Sequence, residues 1–449
     1  MGINNVNAAS HNTPANAADR ARFIRESLPL GGLFAGHEWH LAMDSFPLGP
    51  QLARELESLG RVLLQFYRAA NLLHRRSAEG KQPEWVAHLL DQGKPAALLE
   101  LQRDSAFKND IPRIIRPDIL LTEEGFSITE LDSVPGGIGL TAWLNETYSR
   151  AGTTVTGGAT GMLDGFAGIF GDASRVHLVV SEESATYRPE MEWLAGRLDS
   201  SKFMVQDSKF EGFADDDAVY RFFELFDLAN VPTSRAIFER AREKRLQLTP
   251  PAKPLFEEKL LFALLWNRNL RPFWREHLGE SFLERLLRHF PYTWVLDPAP
   301  LPPHAGIPEL NLTDWQQLKT LSQRERELIL KVSGFSEKAW GARGVHLGSD
   351  LSHADWSTAV DEALASFPHS PHVLQRFHKP RLVRHEWFDF SEDRVKTLEG
   401  RVRLCPYYFV HGDGDAARTV LGGVLATICP ADKKIIHGMR DAILTPCKT

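Results

Sequence analysis

The strongest constraint on the fold lies between Ile114 and Gly139. Ile114-Ile115-Arg116-Pro117-Asp118-Ile119-Leu120-Leu121-Thr122 is rich in β-branched and apolar residues and reads as a strand. Glu123-Glu124-Gly125 reads as a turn, and Phe126 to Asp132 as the returning strand. Pro135-Gly136-Gly137-Ile138-Gly139 is a glycine-rich loop, and Thr141 to Tyr148 opens a helix. A three-residue loop with Gly125 in the left-handed position pairs Thr122 with Phe126, Asp118 with Glu130 and Arg116 with Asp132. Alternation then puts all four charged side chains on one face, with opposed Cβ atoms roughly 5 Å apart. Carboxylates this close raise one another's pKa unless a cation joins them. Magnesium takes one or two carboxylates and completes its shell with water and phosphate oxygens, and Arg116 is suited to a phosphate oxygen. A solvated hairpin edge with Arg116 paired to Asp132 would satisfy the same residues. A two-residue loop would turn Glu130 to the other face.

Two lysines stand in settings that suit phosphate. Lys331 lies in the apolar run Leu328 to Val332, where an ammonium is costly unless it meets an anion. Ser333-Gly334 and Gly341-Ala342-Arg343-Gly344 follow, a small-residue loop able to bring N–H groups near phosphate oxygens. It is not a Walker A loop, since no Gly-Lys-Ser/Thr ending follows. Lys259 comes after Pro250-Pro251 on a predicted helix and has the reach for a phosphate, or for a carboxylate one turn away. His372 to Phe377 is a strand carrying Gln375, whose amide can recognise an adenine edge or bond across strands.

Elsewhere, Ser45 to about Leu101 is largely helical, with Gly80 ending its first helix. Val176–Val180 and the stretch 188–198 form a βα unit, and 219–226 is a further strand. Residues 233–245, 255–268 and 281–289 are helical in pattern, and 356–365 forms another helix. The proline-rich stretch 297–308 is a connector, and 401–409 with 422–428 makes a β-rich end. A chain of 449 residues is too long for one core, so two or three lobes are expected. An apolar share of 43% and 26 Phe supply the material to bury them. The net charge of −6 gives no reason to invoke nucleic acid or an anionic membrane. The three cysteines, Cys405, Cys429 and Cys447, match no zinc spacing and read as reduced structural thiols. Residues 1–19 read as a flexible tail without signal-peptide character, and no apolar run spans a bilayer. The expectation is a soluble cytoplasmic protein.

Taken in order, these segments resemble the circularly permuted ATP-grasp family, and in particular the synthetase domain of glutathionylspermidine synthase. That family carries Arg-x-Asp on one strand and Glu-x-Asn on the next, with Pro shortly after; Arg116-Pro117-Asp118, Glu130-Leu131-Asp132 and Pro135 match. Pro250-Pro251 with Lys259, then Lys331 with its glycine loop, then Gln375 follow in the permuted order. The resemblance spans roughly residues 110–449. It departs at Asp132, where the family has Asn, which adds a charge but keeps an oxygen ligand.

The resemblance implies a mixed α+β or α/β fold, with nucleotide held between two sheet-bearing lobes and a helical N-terminal region over 20–109. Within 110–449, residues 110–150 would form the metal-binding hairpin and glycine loop, 175–245 a substrate lobe, and 250–449 the ATP-binding lobe. Asp118, Glu130 and Asp132 would hold Mg2+. Arg116, Lys259, Lys331, Gly341, Gly344 and Gln375 would bind ATP, with Arg116 and Lys331 also catalytic. The implied activity is an ATP-dependent ligation of a carboxylate to an amine through an acyl phosphate, on small-molecule or peptide substrates. A non-catalytic nucleotide-binding protein and a small-molecule phosphotransferase use the same site. A metal-dependent hydrolase leaves Lys259, Lys331 and the glycine loop unexplained. Tyr220 to Glu224, and Arg440 or Asp441, are candidate acceptor-pocket residues.

Overall fold

The computed structural model describes residues 16–32, 34, 39–339, 341, 343–433, 436 and 440–449. Most of the tail predicted over 1–19 lies outside them. The predicted helical region divides into Pro50–Ala78, Trp85–Asp91 and Ala96–Arg103. Pro50 opens the first of these, where a missing N–H costs nothing. Leu56, Leu59, Leu63, Phe66 and Leu73 fall on one face and are buried. That face packs on a large sheet, where the Tyr408 hydroxyl donates to Leu56 O at 2.6 Å.

Among the described residues the large sheet has eight strands. Arg394–His411 and Arg418–Pro430 form its antiparallel centre. Ile114–Thr122 joins Arg394–His411, with Gly125–Asp132 outside it. Ile443–Lys448 continues the other side and pairs in parallel with His40–Leu41 and Phe46–Pro47. The N-terminal region therefore contributes strand as well as helix. Leu382–Asp389, which the apolar pattern does not mark, also pairs with Arg394–His411. Its side chains alternate between half-buried and exposed along most of its length, so little apolar signal reaches the sequence.

A parallel sheet has the order Phe203–Gln206, Val176–Val180, Asp217–Phe222, Leu246–Thr249, with Arg188–Arg197 as one crossover helix. An antiparallel sheet holds Val345–Leu347, Leu328–Val332, His372–Arg376 and Thr293–Val295. The helix His353–Ser366 covers it through Trp356, Val360 and Ala363. The helix expected over 255–268 is broken: a short turn, Pro254–Glu257, precedes Leu260–Trp266. Glu257 and Glu258 are drawn in opposite directions at that break. Glu257 pairs with Arg221 at 2.7 Å and Glu258 with Lys94 at 2.6 Å. Lys259 thus sits at the N-cap of Leu260–Trp266 rather than on a helical face.

The glycine loop presses on the crossover helix. A Cβ at Gly139 would lie 2.2 Å from Glu190 O. Alanine there gains about 1 kcal/mol in helix propensity, against an overpacking cost of about 1–3 kcal/mol. The obstacle is backbone, so the clash is expected to win. Gly139→Ala should lower the thermal midpoint, and a raised midpoint would show that the contact has room.

Candidate functional site

The hairpin turns out to have two compensating irregularities. Its turn has two residues, Glu123 and Glu124, because Gly125 enters the ladder opposite Thr122. The three-residue loop read from the sequence is therefore corrected. The ladder shifts by one at Thr129, a bulge between the Ile119↔Ile128 and Asp118↔Glu130 pairs. Beyond it the partners are Asp118↔Glu130 and Arg116↔Asp132, the pairs expected from alternation. The bulge also has its own work, since the Thr129 carbonyl accepts from Lys331 Nζ at 3.1 Å.

A cavity of about 220 Å³ opens at this end of the hairpin. The antiparallel sheet forms one wall through Ile329, Lys331 and Val345. Segments following two parallel strands form another, through Ser184, Tyr187 and Glu224. Clefts at the carboxyl ends of parallel strands are where such sheets bind ligands. Of the residues singled out from the sequence, Arg116, Asp118, Glu130, Asp132, Lys259, Lys331 and Gly341 line it.

Arg116 Nη2 lies 3.2 Å from Asp118 and 2.9 Å from Asp132, and Nη1 donates to Gly136 O at 3.1 Å. Asp118 also faces Arg403 at 3.2 Å and accepts from Cys405 Sγ at 3.4 Å. Lys259 Nζ pairs with Glu130 at 2.8 Å and donates to Ala339 O at 2.8 Å. Among the described residues no group of three or more His, Cys, Asp or Glu is gathered as a metal cluster. The acids share a face but are each turned to a basic side chain.

These pairings set the protonation of the site. Burial pushes Glu130 upward, but Lys259 and Lys331 outweigh it and hold its carboxyl below the ordinary value. Burial raises Asp132, with Arg116 opposing and Glu130 adding to the rise. Burial pushes Lys331 down to about 8, although Glu130 opposes it. Glu224 on the far wall is raised well above the carboxylate range by burial and then by Glu257.

Two predicted residues sit behind the cavity. Gln375 Oε1 accepts from Lys331 Nζ at 3.0 Å, and its Nε2 donates to Thr293 at 3.3 Å. Its buried amide therefore steers the lysine. Gly344 closes the loop, its carbonyl accepting from Val332 N at 3.3 Å. Arg440 and Asp441 do not line the cavity, while Phe222 and Glu224 of the proposed acceptor run do. Arg403, Tyr187 and Phe377 also line it and were not singled out. The signal for Arg403 was an arginine alternating into an apolar strand beside Cys405. All three cysteines are free and buried, and no described helix is long and apolar enough to cross a membrane.

The three sheets with their covering helices make a mixed α/β fold, with the cavity between the sheets. A glutathione synthetase-like effector from Globodera pallida, solved without ligand, superposes with a TM-score of 0.54 over 97% of each chain at 11% identity. A candidate gamma-glutamylcysteine synthetase from Methylobacillus flagellatus aligns over 84% of this chain and 87% of its own at 11% identity. Its TM-score of 0.38 is too low to support an argument. No protein-family model matches the chain, and a search of curated proteins finds no match.

Proposed function

We propose that the cavity is the ATP site of a circularly permuted ATP-grasp ligase, which joins a carboxylate to an amine through an acyl phosphate. The observation that carries this reading is the convergence of Arg116, Arg403, Lys259 and Lys331 with the hairpin carboxylates Asp118, Glu130 and Asp132 on one cavity. Segments distant in sequence deliver them, and all but Arg403 follow the order that the resemblance to the permuted family implies. The fold shared with the glutathione synthetase-like effector supports the reading.

The donor set fits a hard cation. Asp118, Glu130 and Asp132 offer carboxylate oxygens only, on one face of the hairpin and one wall of the cavity. These three would hold Mg2+, which when bound withdraws charge from the phosphates and eases phosphoryl transfer. Lys259, Lys331 and Arg116 neutralise phosphate oxygens as the γ-phosphoryl moves to the substrate carboxylate. Leu120, Ile329, Val345 and Phe377 give the base an apolar wall. Ala339 and Gly341 of the loop line the cavity, and the exposed Arg343 pairs with Glu183, next to the lining residue Ser184, at 3.1 Å. Closed over the site, this loop would keep water from an acyl phosphate.

A nucleotide-binding protein without ligase chemistry is the second reading, favoured by the internal pairing of all three acids with basic side chains. Calorimetry with ATP and Mg2+ tests both readings, and heat of binding with saturation is expected. ADP release in the presence of pooled carboxylic acids and amines, with an amide product by mass spectrometry, supports the ligase. A phosphorylated product without an amide would reassign the chemistry, and a chain that binds no ATP would refute both readings.

A further inference from the structure

The peptide unit joining Gly136 to Gly137 is gripped from both sides. Its carbonyl accepts from Arg116 Nη1 at 3.1 Å and from the Tyr407 hydroxyl at 2.8 Å. Its N–H donates to Glu190 Oε1 at 2.8 Å. Glu190 Oε2 accepts from Leu140 N at 3.0 Å. Glu190 lies in the first turn of Arg188–Arg197 and is 0% exposed.

Part of this is helix capping. The helix Ile138–Arg150 opens on Gly137, which has no side chain to cap it. None fits, because Gly137 has φ +83 and a Cβ there would meet the Tyr407 hydroxyl at 2.7 Å. A cap must come from another element, and Glu190 supplies it. Desolvating a carboxylate is a costly way to cap a helix. What this carboxylate adds is control over the peptide whose carbonyl accepts from Arg116.

We propose that Glu190 is a positioning residue for Arg116, acting through the Gly136–Gly137 peptide. With the N–H held, the carbonyl must point at the guanidinium. With it released, only the Tyr407 hydroxyl still restrains the carbonyl, the peptide is freer to turn, and Arg116 depends more on its two carboxylates. The task assigned to Arg116 rests on the nucleotide reading, whereas the way it is held does not.

Burial pushes Glu190 up to about 7, with the Leu140 and Gly137 N–H groups and Arg116 opposing. The titratable groups facing it are Arg116 from the hairpin, Tyr187 before its own helix, Tyr220 from the parallel sheet and Tyr407 from the large sheet. The tyrosines are raised and stay neutral, and the arginine stays charged. Protonation of Glu190 should therefore loosen the grip; Asp132, which pairs with Arg116 and is also raised by burial, shifts in the same direction, so Glu190→Gln is the arm that isolates Glu190.

The test is NMR of the full chain labelled at arginine, without nucleotide, with the Arg116 guanidinium signals assigned by their loss in Arg116→Lys. Wild type at high pH should show slow guanidinium rotation. Glu190→Gln should speed it roughly tenfold, the scale of one lost charged hydrogen bond. Unchanged rotation in folded Glu190→Gln would overturn the proposal. Lowering the pH of wild type through about 7 should speed it likewise; a flat response would also overturn it, whether or not the variant folds. Failure of wild type to bind ATP would remove the ligase reading and leave this result standing.

Discussion

Asp118→Asn is expected to lower nucleotide-dependent turnover by about 100-fold or more, the scale of losing a group that orients charge in a phosphoryl-transfer site. Asparagine keeps the size and one acceptor oxygen but not the charge. Asp118 is 7% exposed and faces both Arg116 and Arg403, so its loss also leaves two guanidinium groups short of a counter-charge. A stability loss of about 3 kcal/mol is expected alongside. Measuring ADP release together with the thermal midpoint separates the two, because activity should fall at temperatures where the variant is still folded. Turnover equal to wild type would remove Asp118 from the proposed metal site.

The second large effect lies outside the cavity. Lys94 and Glu258 form an ion pair 2.6 Å apart with both side chains 1% exposed. The other Glu258 oxygen accepts from the Ser333 hydroxyl, which in turn accepts from Leu260 N at 2.9 Å. One carboxylate therefore joins the N-terminal helical region, the turn carrying Lys259 and the start of the glycine loop. Lys94→Met strands a buried charge and should cost about 3–5 kcal/mol. Replacing both partners by apolar residues, Lys94→Met with Glu258→Leu, should recover most of that loss, because neither charge then needs a partner. Urea unfolding followed by tryptophan fluorescence reads both. A single variant as stable as wild type would mean that the charges are not sequestered.

Much of the site was legible because alternation along a strand is a local property. Arg116, Asp118, Glu130 and Asp132 share a face in the sequence and in the structure. The route to that face was not legible, because a short turn and a bulge at Thr129 cancel, and neither leaves a compositional mark. Gln375 shows a different limit. Its strand was evident, but whether its amide meets a ligand or a lysine depended on Leu328–Val332 lying beside it. Likewise Glu257 and Glu258 sit in a helical pattern, and buried partners from other segments broke the helix.

By itself the sequence determined the two hairpin strands and the strands carrying Lys331 and Gln375, which charges share a face, and the order in which lysines and glycine loops follow the hairpin. These depend on neighbours a few residues apart, whose spacing the backbone dictates. Tertiary structure alone decided that Arg403 joins Arg116 on Asp118, that Glu190 caps a helix it does not belong to, and that each acid faces a base. Such contacts form between residues far apart along the chain. Their energies depend on burial and distance, which exist only after the sheets have packed.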